Sequence, residues 1–138
     1  MASTIIKSFF GRPSFILRWG IAIILLMRSI PSIFQGHIQA FGDQYLRQVG
    51  FGDFGIILAW MVKISHILAA ICLLLNRYVA IVSAITIIVL VIGAYLVHFP
   101  NGWFVIGLGT NGVEYNFLII LNLMYFIIDD WKKPRHRY

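Results

Sequence analysis

The chain has 138 residues, of which 60% are hydrophobic and 12% charged, with a net charge of +6 and a mean hydropathy of +0.87. A soluble domain is about half apolar and about a quarter charged, so this composition excludes an ordinary water-covered globule and makes a bilayer the natural solvent. The eleven Lys and Arg, against five Asp and Glu, sit at the ends of apolar runs rather than on one soluble face, which excludes a nucleic-acid patch and points to anchoring at anionic lipid.

A membrane helix needs about 20 mostly apolar residues, and four candidate spans follow in chain order. The first covers 13–34. Lys7 and Arg12 precede it, but the apolar run from Phe15 to Phe34 is too long for a secretory signal core and no small-residue cleavage pattern follows, so it reads as a membrane helix. Pro13 suits its first turn. The stretch from Gln35 to Asp53 holds Gly36, Gly42, Gly50 and Gly52, and between them Phe41, Tyr45, Leu46 and Val49 recur at helical spacing. That pattern predicts a short amphipathic helix lying on the membrane surface.

The second span covers 54–75 and the third 78–97. The link Asn76–Arg77 is so short that these two are antiparallel neighbours. The stretch HFPNGWFVIGLGTNG (98–112) contains Pro100 and several glycines, which exclude a long helix, yet Trp103, Phe104, Val105 and Ile106 are apolar. It reads as a loop packed on the mouth of the bundle. The fourth span covers 113–128 and ends at Asp129 and Asp130. The fold class is therefore an all-α antiparallel bundle of four transmembrane helices, in one domain over residues 1–138.

Lys7, Arg12, Arg77, Lys132, Lys133, Arg135 and Arg137 flank one side of these spans, and of the cations only Arg47 lies in the other two loops. The positive-inside rule then places both termini and the Arg77 turn in the cytoplasm and the Gly-rich loops outside, in a multi-pass protein of the cell inner membrane. Cys72 stands alone, cannot close an intrachain disulfide and reads as a packed structural thiol.

Charged and polar groups inside apolar spans are costly, face a bundle interior and need partners. Arg28 shares a helix face with Ser32 and Gln35, and Pro31 marks a kink there. Lys63 lies about 14 Å into the second span at 1.5 Å per residue, with His66 on the same face and Ala59 and Ala70 continuing the stripe. Glu114 heads a stripe with Asn122, Tyr125 and Asp129, and His98 closes the third span. These groups form a funnel that opens outward, with Glu114 and His98 at the rim, Arg28 below, and Lys63, His66 and Asn122 near the middle. One polar cavity with Arg28 and Lys63 against the single carboxylate Glu114 would favour an anion or a ligand with carbonyl or phosphate oxygens. On a purely structural reading, Glu114 pairs with a cation to pin the fold, Lys63 snorkels to the interface and His66 bonds a neighbouring helix. No catalytic residue is identified. No metal-ligand spacing occurs, and GLGTNG follows no strand, so it is not a phosphate loop.

Four stretches resemble the DoxX family of small bacterial four-helix membrane proteins: LMRSIPSIFQG (26–36), QVGFGDFG (48–55), LAWMVKISHILAAICLLLNRY (58–78) and VHFPNGWFVIGLGTNGVEYNFL (97–118). The GWFV…NGVEYN run is the most specific, and it adds Tyr115 to the candidate site residues. Where many such proteins place an acid in the second helix, His66 stands here. The resemblance implies a membrane subunit linked to redox or quinone metabolism. No cofactor motif is present, and quinone is the candidate bound molecule, with Trp103, Tyr115 and Tyr125 available to stack and Lys63, His66 or Asn122 to bond its oxygens. The partners expected are membrane lipids, another membrane or redox protein, or further copies of the chain. The alternatives are a structural or assembly subunit that grips a partner, and a small oligomeric transporter or channel.

Overall fold

A computed structural model describes residues 14–106 and 111–132. Pro13, Lys7, Arg12, Lys133, Arg135, Arg137 and the stretch 107–110 lie outside the described residues. Helix α1 is Ser14–Phe34. A second helical stretch, α2, begins as His37–Gln39 and continues with wider, π-type winding through Ala40–Phe51. Helix α3 is Phe54–Leu74. Helix α4 is Val79–Gly93, prolonged by a π-type segment Ala94–His98 and a 3₁₀ turn Phe99–Asn101. Helix α5 is Glu114–Trp131. There is no strand among the described residues.

Three of these helical runs, Ser14–Phe34, Phe54–Leu74 and Val79–Asn101, are long and apolar enough to cross a membrane, with mean hydropathies of 1.6, 2.2 and 2.7. Helix α5 has 18 residues but carries Glu114 at its start and Asp129 and Asp130 near its end. Its ends are polar, and its apolar centre is correspondingly short.

Helix α1 packs on α3, α3 on α4, α4 on α5 and α5 back on α1. The main core lies between them and includes Leu25, Ala70, Leu73, Leu123 and Phe126. Small residues on α3 let the helices approach closely: Ala59, Ala69 and Ala70 are all buried.

The link between α3 and α4 follows a specific local logic. The N–H of Arg77 bonds the carbonyl of Cys72, and that of Asn76 bonds the carbonyl of Leu73. This is the Schellman arrangement, with Asn76 supplying the left-handed residue at φ 53°. Asn tolerates that region better than most side chains. Around the link, Arg18 donates to the Asn76 side chain, Ser14 Oγ donates to Asp129 at 3.2 Å, and the Ala80 N–H donates to Asp130 at 3.4 Å. The turn end of the molecule is thus tied together across α1, α4 and α5.

The first long connection is helical, as its spacing predicts, and it is seated on the protein itself. Helix α2 packs along α3, and its buried Ile38 and Leu46 form a second small core with Ala59. The approach is closest at two glycines. A Cβ on Gly42 would fall 2.6 Å from Ile56 Cα, and one on Gly55 would fall 2.6 Å from the Gly42 carbonyl. The stretch after Asn101 does pack back on the bundle. The N–H groups of Gly112, Val113 and Glu114 bond the carbonyls of Phe104, Gly102 and Trp103, and the Trp103 ring lies 5.5 Å from that of Phe117.

Candidate functional site

A cavity of about 460 Å³ lies in the half of the molecule away from the Asn76 link. Its walls come from the first half of α3 (Leu58 to His66), the second half of α4 (Ile85 to His98), Arg28 of α1, Asn116 of α5, and Phe41 and Leu46 of α2. This size falls within the ~300–1,000 Å³ of pockets that enclose small organic molecules. Most of the wall is aliphatic, and the polar groups converge on one region.

Arg28 reaches the cavity from the turn of α1 that contains Pro31. A proline inside a helix removes one backbone hydrogen bond and disturbs the preceding turn. The carbonyl that Pro31 leaves without its usual donor is that of Met27; the next one along, that of Arg28, accepts from Lys63 Nζ of α3 at 2.8 Å and from the Ser32 hydroxyl at 3.4 Å, which also donates to the Ser29 carbonyl at 2.9 Å. The guanidinium of Arg28 in turn donates to Asn116 Oδ1 at 2.8 Å, and Asn116 is 3% exposed. Arg28 is therefore held at its backbone from α3 and at its head group from α5.

His66 lies on the same face of α3 as buried Ala59 and Ala70. It is 5% exposed, and neither ring nitrogen has a hydrogen-bond partner. An unmade hydrogen bond on a buried polar group costs about 1–3 kcal/mol, so this ring is held in place against its own solvation. His98 stands at the far end of the cavity, where its Nδ1 lies 2.7 Å from the Asn111 carbonyl. Because a carbonyl oxygen only accepts, that nitrogen carries the proton.

The structure thus brings Arg28, Lys63, His66 and His98 to one cavity and leaves Glu114, Tyr115 and Asn122 outside its lining. Glu114 accepts from the N–H groups of Val105 at 2.9 Å and Ile106 at 3.4 Å, closing the segment 102–106 onto the start of α5. Asn122 donates to the Leu118 carbonyl of its own helix at 2.8 Å, and Tyr115 is exposed. The inward face of α5 is the one carrying Asn116, Ile119, Leu123 and Phe126, not the stripe headed by Glu114. Apolar residues surround α5 on all sides, so periodicity alone did not select its inward face. Asn116 stands out in the sequence only through the resemblance, as part of the NGVEYN run beside Glu114. Arg18, at the opposite end of the molecule, is buried as well, and it is not among the residues singled out from the sequence.

The electrostatic consequence is sharp. All five acidic residues are described, and they are engaged or exposed elsewhere. Asp53 pairs with Arg47 at 2.6 Å, Glu114 holds the loop, Asp129 and Asp130 belong to the turn end, and Asp43 is exposed. Among the described residues, neither Arg28 nor Lys63 has a carboxylate partner. Two cations and an unsatisfied imidazole face a mostly aliphatic chamber with no protein anion. No family model, curated protein or solved structure matches the chain.

Proposed function

We propose that this chain is a multi-pass membrane protein in which α1, α3, α4 and α5 all cross the bilayer, and that it holds a small lipid-like molecule in the cavity through that molecule's acidic or strongly polarised oxygens. The carrying observation is the pairing of Arg28 and Lys63, which have no carboxylate, with His66, whose two nitrogens have no partner. Buried charge is retained where it is paired or where it serves a ligand pathway. The aliphatic walls suit the rest of such a molecule. The cation asymmetry supports an inner-membrane orientation with the termini and the Arg77 turn cytoplasmic, because Arg47 is the one Lys or Arg in the two connections at the other end.

The resemblance to the DoxX family supports an accessory role beside a redox or quinone-linked enzyme, the ligand being the shared molecule. A second reading is favoured by one observation: Trp103, Phe104 and Ile106 remain 48%, 60% and 81% exposed on a loop whose backbone is well bonded. Such a pinned apolar loop suits a structural subunit that grips a partner membrane protein. Native mass spectrometry with lipid extraction, on protein purified in mild detergent, separates the two. The first reading expects a stoichiometric small molecule that is lost in Lys63→Met. A ligand-free chain that co-purifies with a second membrane protein overturns it in favour of the second.

A further inference from the structure

The proposed function places an oxygen-bearing ligand in the cavity, and its entrance defines the rest of that ligand. The two ends of the cavity are obstructed. Toward the Asn76 link the space is filled by Ala69, Ala70, Leu73 and Val79, all at most 2% exposed. Toward the outer loops, Phe41 and Leu46 of α2 form part of the wall. The Tyr45 hydroxyl donates to the Leu96 carbonyl in the widened turn of α4, so α2 is fastened across that end. Its ring also stacks on Phe41 at 5.6 Å.

The side between α3 and α4 is different. Met61 on α3 and Ile85 and Ile92 on α4 line the cavity, yet they are 60%, 49% and 52% exposed on the outer surface. A residue that both lines a chamber and faces outward marks its rim. All three are apolar, and they lie along the runs that are long and apolar enough to cross a membrane. This opening therefore faces hydrocarbon, while Arg28, Lys63, His66 and Asn116 lie on the inner side of the same chamber.

We infer that the cavity takes a single-chain amphiphile with an acidic oxygen head group directly from the membrane, sideways between α3 and α4. The head, a carboxylate or a phosphate, meets Arg28, Lys63 and His66, and the apolar chain leaves past Met61, Ile85 and Ile92. This rests on the reading of the cavity as an oxygen-binding site and adds the acid, the chain and the route. The acid follows from the two cations without a carboxylate. The chain follows from the apolar rim, where a small hydrophilic anion would have to cross hydrocarbon to enter.

The test is binding of four probes to the full chain in lipid nanodiscs, read as occupancy by native mass spectrometry: hexadecyl phosphate, palmitate, hexadecanol and inorganic phosphate. Hexadecyl phosphate, palmitate or both should bind at least tenfold more tightly than hexadecanol, and inorganic phosphate should not bind. Ile85→Trp and Met61→Trp, which narrow the rim from opposite helices, should each weaken binding of the acid probe at least tenfold. Ile88→Trp, equally exposed on α4 but outside the lining, should leave it unchanged. Thermal unfolding of each variant confirms that it is folded. Hexadecanol binding as tightly as the acids overturns the acidic head but leaves the oxygen-binding reading intact. Inorganic phosphate matching hexadecyl phosphate, or rim variants that bind like the parent, overturns the chain and the lateral route. Failure of every probe on folded protein overturns this inference together with the proposed function.

Discussion

His66 is a buried imidazole with no hydrogen-bond partner on either nitrogen. A residue kept for packing alone would be better as an aliphatic side chain, because the cost of its unmade bonds would disappear. His66→Leu should therefore hold or raise the unfolding temperature, with a gain in stability of up to about 1–3 kcal/mol, while the bound molecule is lost from the purified protein. A clear loss of stability would mean that the ring serves the fold and not a ligand. Asn116 has the opposite profile. It is the acceptor for the Arg28 guanidinium, so Asn116→Ala strands a charged donor and should cost about 1.5–3 kcal/mol in chemical or thermal unfolding. Glu114→Gln should cost under about 1 kcal/mol, because the amide oxygen still accepts from Val105 and Ile106, and it should not change ligand occupancy. Equal losses for the two variants would restore Glu114 to the site. At this scale the sequence disclosed Arg28, Lys63 and His66, since a polar group inside an apolar run stands out by its cost. Asn116 was not visible in the same way, because a polar residue in the first turn of a helix is ordinary.

Elements were legible wherever their signal was local. The four long helical segments begin and end within a few residues of the expected spans, and the Asn76–Arg77 link forces α3 and α4 together as its length required. Helix α2 is legible as a helix, but its seat on α3 is not. Its hydrophobic spacing gives a helix, yet what it lies against is decided by Gly42 and Gly55, and the absence of a side chain leaves no mark on periodicity. Gly42→Ala should cost about 1–3 kcal/mol, since the new methyl would lie 2.6 Å from Ile56 Cα and 3.0 Å from its backbone nitrogen. Gly20→Ala is the matched control. A Cβ there has nothing within 4 Å, so the change should be neutral or stabilise α1 by up to about 1 kcal/mol. Thermal unfolding of the pair in one detergent decides the matter. If Gly42→Ala is as stable as the parent, α2 is not seated on α3 by that contact, and the roof of the cavity is looser than the structure has it.

At the scale of the whole molecule, the two ends differ in construction. One end is tied by Arg18, Asn76, Asp129 and Asp130 with Ser14 and the Ala80 N–H; the other encloses the cavity and the bonded loop. Charge distribution predicts that the tied end faces the cytoplasm. Whether the chain crosses the bilayer three or four times turns on α5, whose terminal acids reduce its apolar length but leave its centre, Phe117 to Ile128, free of charge. A helix can span with its charged residues at the interfaces and the bilayer locally thinned. Single cysteines at Arg77, Phe104 and Trp131, in a Cys72→Ser background, separate the possibilities when intact cells are treated with a membrane-impermeant thiol reagent. Four spans with cytoplasmic termini predict that Phe104→Cys reacts at once, whereas Arg77→Cys and Trp131→Cys react only after the membrane is opened. Trp131→Cys reacting together with Phe104→Cys would mean that α5 stays on the outer side, and the cavity would then be walled on that side by a helix that does not cross. The inverse pattern, with Arg77→Cys and Trp131→Cys reactive and Phe104→Cys protected, would keep all four spans and turn the molecule over, so that the loop end and its cavity rim sit in the cytoplasmic leaflet.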